Sequence, residues 1–247
     1  MTIEFFTYLA LGAIAGGFIN GLSGTGTALF ALGFYLVVLD PPQAVAIVAL
    51  MSVLAGIQGL WIVRADILNH PKRLLRFVGP ALVGVPLGLL LLGVINTGAL
   101  RIGIACLLIL YGGYFGLRAS LPAFSRSTPI LDSIVGFFGG VLGGTAGVSG
   151  ALPAMWLSLR PWTKTQTRAV LQPFNMTVLI TTVTLLALKG AYTPTAITAL
   201  LIIVPCGLIA AQVGIMVFRR LSDTLFRRVL IILTLLMGIG LMISELA

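Results

Sequence analysis

The chain has 247 residues, 59% of them hydrophobic and 9% charged, and a mean hydropathy of +1.14. A soluble domain carries about 25% charged residues, so this composition excludes a water-soluble fold and leaves no room for a separate soluble domain. The net charge of +9 and pI near 10.4 do not point to nucleic acid, because the 15 Lys and Arg stand in short segments between apolar runs, where they act as topology signals.

The first apolar stretch, from Glu4 to Leu39, is interrupted by GLSGTG (Gly21 to Gly26). It is too long for one crossing of a ~30 Å hydrocarbon core, which takes about 20 helical residues. Met1 to Phe5 has no cationic n-region and no small-residue cleavage site follows, so the N-terminal helix is expected to be retained. Three conventional spans come next, at 43–63, 74–95 and 100–117. The short polar segment from Ser120 to Pro129 leads to a second interrupted stretch, broken by GGTAGVSG (Gly143 to Gly150), and then to spans at 166–188, 195–218 and 225–244. The expected fold is all-α and polytopic.

The two stretches are copies of one another. GGFINGLSGTGTALFA (Gly16 to Ala31) aligns without gaps on GGVLGGTAGVSGALPA (Gly139 to Ala154) at an offset of 123, with seven of sixteen positions identical. The match continues through Gln43/Gln166 and Ala46/Ala169 and returns, with small insertions, at Pro80/Pro205, Arg101/Arg227 and Gly112/Gly238. The chain therefore reads as a single membrane domain, 1–247, made of repeats 4–118 and 130–244.

Charge decides how the interrupted stretches run. If each crosses once, Lys and Arg divide almost evenly between the two sides, against the positive-inside rule. If each enters and returns, as a re-entrant hairpin or a pair of short crossings, all cations except Arg101 and Lys189 fall on one side, and Glu4, Asp40 and Glu245 fall on the other. The second arrangement predicts a multi-pass protein of the bacterial inner membrane with both termini periplasmic. Each unit then makes an odd number of crossings, so the copies are inverted, a design found in many secondary transporters.

In this topology both glycine turns reach the membrane interior, from opposite sides. Helices beginning near Thr27 and Gly150 direct free N–H groups and positive dipole ends inward, a geometry suited to an anion. Asn20, Ser23, Gly24, Thr25 and Thr27 of the first turn and Thr145, Gly147 and Ser149 of the second are the candidate substrate-binding residues. Arg168, Gln172 and Asn175 share one helical face of the next span and join them. Two plainer readings compete: the glycines let helices approach closely while Ser and Thr bond their own backbone, and Arg168 snorkels to the headgroups. Pro173 should free the carbonyl of Ala169 and open that helix.

No paired carboxylates, partnered His or zinc-type motif stand in the apolar segments, so no catalytic residue, metal site or cofactor is expected. Cys106 and Cys206 read as packing residues, His70 as solvated, and Trp61, Trp156 and Trp162 as interfacial anchors.

The duplicated glycine segments, RADILNHPKRLLRFVGPALVGVPLG and the closing GIMVFRRLSDTLFRRVLIILTLLMGIGLM, in this order, resemble the sulfite exporter TauE/SafE family over essentially the whole chain. The chain departs from the family pattern at Phe30, where proline is common, as at Pro153. The resemblance implies a transporter, not an enzyme, that exports sulfite or an organosulfonate. The alternative is ion-coupled uptake of a related sulfur-containing or carboxylate anion. The expected partners are the anion and the lipid bilayer, with homo-oligomerisation left open.

Overall fold

A computed structural model describes residues 3–91, 97–117 and 124–246. These form α1 (Ile3–Ser23), α2 (Thr27–Tyr35), α3 (Pro41–Asn69), α4 (Pro71–Leu91), α5 (Thr97–Gly116), α6 (Pro129–Ala146), α7 (Ala151–Ser158), α8 (Lys164–Leu188), α9 (Pro194–Arg220) and α10 (Asp223–Leu246). The fold is all-helical among the described residues, as composition and apolar periodicity require. Part of the expected 74–95 span and of the 120–129 linker lies outside them.

Polarity runs inside out. Leu90, Leu110, Leu201 and Ile209 are exposed, whereas Asn20, Thr25, Thr27, Ser52, Ser149, Arg168, Gln172 and Asn175 are buried. Water would make this arrangement costly, but lipid favours it, since hydrocarbon solvates the apolar rim and polar groups must be satisfied within the protein. Among the described residues, five helices are long and apolar enough to cross a membrane: α1, most of α3, most of α4, α8 and α9. The protein is a multi-pass membrane protein.

The most extensive contacts join α1 to α9 and α6 to α4, so each long hairpin arm packs on a helix of the other half. Glycine permits both contacts. A Cβ on Gly17 or Gly21 would fall 2.3 or 2.0 Å from the Gly207 or Ala211 carbonyl oxygen of α9. At the 123-residue offset, a Cβ on Gly140 or Gly144 would fall 2.3 or 2.5 Å from the Ala81 or Val85 oxygen of α4. These glycines serve close packing, as the plainer reading expected. Between them, α3 packs on α8 and α5 on α10.

One end of the bundle collects charge. The Asp132 carboxylate, at the start of α6, accepts from Arg160 Nη2 at 3.0 Å and from Trp156 Nε1 at 2.7 Å, and Arg76 stands 3.8 Å away. Arg160 also donates to the Phe124 and Arg126 carbonyls and stacks over Trp156. Lys164 Nζ donates to the carbonyls that end α9, at Phe218, Arg219 and Leu221. At the other end Leu36 to Asp40, Gln43 and Thr195 line an open groove, and Tyr192 donates to the Ala46 carbonyl at 2.9 Å. Burial pushes the Tyr192 hydroxyl up to about 12, so it remains a donor at neutral pH.

Three expectations are corrected. The Trp156 indole is tied to Asp132, and therefore anchors a charge cluster inside the protein as well as marking a helix end. His70 is half-buried, because α4 starts at the next residue and folds the corner over it. α8 continues unbroken through Pro173. Cys106 on α5 and Cys206 on α9 are free thiols.

Candidate anion-binding site

Each hairpin turns on glycines that take conformations other residues rarely adopt. Gly24 and Gly26 have φ of 85° and 90°, and Gly147 has φ of 68°. In the first turn Ser23 Oγ has the Ile19 and Thr25 carbonyls within reach of its one proton and accepts from the Thr25 N–H, which folds the chain back within three residues. In the second, the N–H groups of Gly147 and Val148 return to the Gly143 and Leu142 carbonyls and close α6.

The turns meet. Thr25, Gly26, Thr27 and Ala28 from one, and Gly147, Val148, Ser149, Gly150 and Ala151 from the other, enclose a small cavity completed by Ser52 of α3, Asn175 of α8 and Met237 of α10. It has room for little more than a water-sized sphere. Both α2 and α7 start at its wall. Their N-caps, Gly26 and Gly150, supply no side-chain hydrogen bond, leaving the first-turn N–H groups free. Pro153 stands in the first turn of α7, where its missing N–H breaks no helical bond, while Phe30 stands one place further into α2. The departure at Phe30 thus coincides with a one-residue difference in helix start.

Side chains add donors. Asn20 Nδ2 donates to Thr27 Oγ1 at 2.8 Å, which leaves the Thr27 proton to point elsewhere. Ser149 Oγ donates to Asn175 Oδ1, so the Asn175 amide nitrogen has its hydrogens free. Among the described residues neither that nitrogen nor the hydroxyls of Thr25 and Ser52 have a protein partner. The structure brings Thr25, Thr27, Gly147, Ser149 and Asn175 of the expected residues into one cavity wall. Asn20, Ser23, Gly24, Thr145, Arg168 and Gln172 do not line it. Asn20 and Ser23 shape the first turn from behind, and Thr145 Oγ1 donates to the Leu142 carbonyl.

Arg168 does not snorkel. Its side chain is wholly buried, donating from Nη1 to the Gly21 carbonyl at 2.7 Å and from Nε and Nη2 to Gln172 Oε1 at 3.2 and 3.1 Å, with Cζ 4.5 Å from the Phe218 ring centroid. Sequence reasoning did not place Ser52, Gly26, Gly150 or Met237 at the site. The signal for Ser52 was available: at the 123-residue offset it corresponds to Asn175.

A family model described as Sulfite exporter TauE/SafE matches residues 8–241. The chain belongs to this family. TauE/SafE proteins are membrane transporters associated with sulfite and sulfonate export, so at the level of the family the chain is a transporter rather than an enzyme. No curated protein matches it.

Proposed function

We propose that the protein exports a small sulfur oxyanion, sulfite or an organosulfonate, across the bacterial inner membrane, and that the anion binds between the two glycine turns. The observation that carries this reading is the convergence of two uncapped helix N-termini on one cavity that also holds the unpartnered amide nitrogen of buried Asn175. Oriented N–H groups in a dry interior stabilise negative charge without reorganising. A cavity this small must widen to take the anion, as a site does in passing between outward and inward access. Met237, unbranched and polarizable, is the wall whose repacking most cheaply makes room.

Alternating access follows from an inverted pair of units, 4–118 and 130–244, rocking about the fixed site. One feature supports inversion and a second the twofold relation of the units. The α6–α7 hairpin has its ends in the charge cluster with Arg160, whereas α2 of the first hairpin ends at the opposite, open groove. The long-arm contacts α1 with α9 and α6 with α4 also exchange when the halves are exchanged. The cation-rich end faces the cytoplasm, and both termini are periplasmic.

The test is sulfite flux in proteoliposomes containing the purified chain alone. Flux that Asn175→Ala reduces by tenfold or more, and Ser149→Ala by less, is expected; no flux, or flux indifferent to both changes, removes the reading.

A further inference from the structure

We propose a second anion subsite between the cavity and the cytoplasm, in which the Gln172 amide, held in place by Arg168, receives the sulfur oxyanion over Gly56 and Gly59 of α3. The inference rests on the cavity reading above and adds the route by which the ligand arrives.

Helices α3 and α8 are equivalent elements of the two repeats and pack on one another. Ser52 and Asn175, equivalent at the 123-residue offset, both line the cavity. From Asn175 the seam between the helices runs past Gln172 and Arg168, about 10 Å along α8. It ends near Lys164 in the cation-rich end, which is cytoplasmic in the proposed topology. Opposite stand Gly56 and Gly59. A Cβ on Gly56 would fall 2.9 Å from Gln172 Nε2, and one on Gly59 would fall 2.5 Å from Gln172 Oε1 and 2.6 Å from Arg168 Nη2. Two long polar side chains thus lie directly on helix backbone.

The hydrogen-bond network assigns the orientation of the Gln172 amide, because Arg168 Nε and Nη2 both donate to Oε1. Nε2 is then the end turned to Gly56, and it is wholly buried with no hydrogen-bond partner. A buried donor left unpaired is costly. Arg168 is in a different position: it donates to the Gly21 carbonyl in the last turn of α1, so that helix end meets its charge. The group with unused capacity is the amide, and Arg168 is its positioning residue.

Packing does not call for that amide. At the 123-residue offset Arg168 and Gln172 correspond to Val45 and Ala49, and Gly56 and Gly59 correspond to Leu179 and Thr182. The other half of the seam closes with apolar residues on α3, and its Thr182 hydroxyl donates to backbone. The unpaired donor stands in the half from which an exported anion must come. As α3 and α8 part toward the cation-rich end, the anion meets Nε2 before it meets the donors of the cavity.

Charge-selective thiol labelling tests this in the full-length chain lacking Cys106 and Cys206. Met176, one turn beyond Gln172 and also against Gly56, is replaced by cysteine. Inside-out membrane vesicles are then exposed to methanethiosulfonates that carry either a sulfonate or a trimethylammonium group. Relative to their rates with free thiol, the sulfonate reagent should react about tenfold faster or more, and Gln172→Ala should bring the two rates close together. Val53→Cys, the equivalent position of the first repeat, is labelled from the periplasmic face in right-side-out vesicles, and its rates should not respond to Gln172→Ala. If Met176→Cys fails to insert, Gly56→Cys reports on the same space. No reaction from the cytoplasm, a preference that survives Gln172→Ala, or an equal loss at Val53→Cys would overturn the subsite. Calorimetric binding of sulfite separates that result from failure of the reading beneath it. Binding that Asn175→Ala still weakens leaves the cavity standing without the subsite, whereas binding indifferent to Asn175→Ala removes the cavity reading and the route with it.

Discussion

Thr25 and Gly150 touch across the centre of the molecule so closely that a Cβ on Gly150 would fall 1.6 Å from Thr25 Oγ1. The two hairpins, 125 residues apart in sequence at this contact, are keyed together by one missing methyl group.

Gly150→Ala should therefore abolish transport. Gly150 has a right-handed helical conformation, φ −85° and ψ −7°, which alanine adopts freely, so the loss comes from packing rather than backbone strain. Combining it with Thr25→Gly removes the clashing atoms and should restore part of the flux, a non-additivity expected of residues in contact. Gly147→Leu, at positive φ, should not be rescued by Thr25→Gly. Proteoliposome flux of these variants and of Thr25→Gly alone, at matched insertion, is the measurement; additive losses would mean the turns do not act as a unit.

Ser149 and Asn175 hold one another, and their coupling should appear in affinity. Loss of one charge-assisted hydrogen bond corresponds to about 1.5–3 kcal/mol, or roughly tenfold to hundredfold in binding. Asn175→Ala removes the free amide donor and should weaken sulfite by that factor. Ser149→Ala should cost less, because the Ser149 proton is already directed at Asn175. Calorimetric titration with sulfite would distinguish the two, and the reverse order would mean that the serine is the direct ligand.

Much of the architecture was legible because lipid imposes length. Apolar runs near 20 residues and two glycine interruptions place the helices of the described residues. Helix ends were less legible: α3 runs to Asn69, beyond the expected span at 63, because a helix continues past the hydrocarbon boundary that the apolar pattern marks. Spacing placed Arg168, Gln172 and Asn175 on one face of α8, but which helix covers each part of that face depends on the tertiary packing of α1 and α3. Consequently only Asn175 reaches the cavity, while Arg168 meets the Gly21 carbonyl behind it. Met237 lies in an apolar run, LLMGIGLM, where nothing in the pattern separates a cavity wall from a packing residue.

Asp132 should matter for stability more than for binding. Arg160 is 4% exposed, and removing its carboxylate partner leaves a buried guanidinium supported mainly by backbone carbonyls. Breaking a buried ion pair costs about 3–5 kcal/mol, so Asp132→Ala should lower the unfolding temperature in detergent markedly. Asp132→Ala with Arg160→Met should cost less than Asp132→Ala alone, since no charge is then stranded. A double variant weaker than the single would place the cluster's value in the hydrogen bonds of Arg160 to the 124–128 segment.

Topology is tested by single-cysteine labelling in a background lacking Cys106 and Cys206. Position 40 and both termini should react from the periplasm, and positions 73, 126, 164 and 220 from the cytoplasm. Labelling of position 40 only from the cytoplasm would remove the inverted arrangement and with it the alternating-access scheme.

The last expectation concerns energy. The acids at Glu4, Asp40, Asp66, Asp132 and Asp223 lie within a turn of helix ends or in the charge cluster, so among the described residues no carboxylate is placed to relay a proton through the middle of the bundle. Export of an anion does not require one. With the cytoplasm negative, each charge leaving gains about 2.3 kcal/mol per 100 mV, which supports roughly a fortyfold gradient for a monoanion and roughly a two-thousandfold gradient for a dianion. Uptake against the same potential would need a coupled cation, for which the cavity offers hydroxyls and backbone but no acid. Transport should therefore be electrogenic export without obligatory proton coupling. Sulfite flux is measured under a potassium-diffusion potential, with and without a pH gradient, at a fixed ratio of sulfite to bisulfite on the loaded side. Flux should rise steeply with voltage and change little with the pH gradient; flux that ignores voltage and follows the pH gradient would make the protein a proton-coupled carrier.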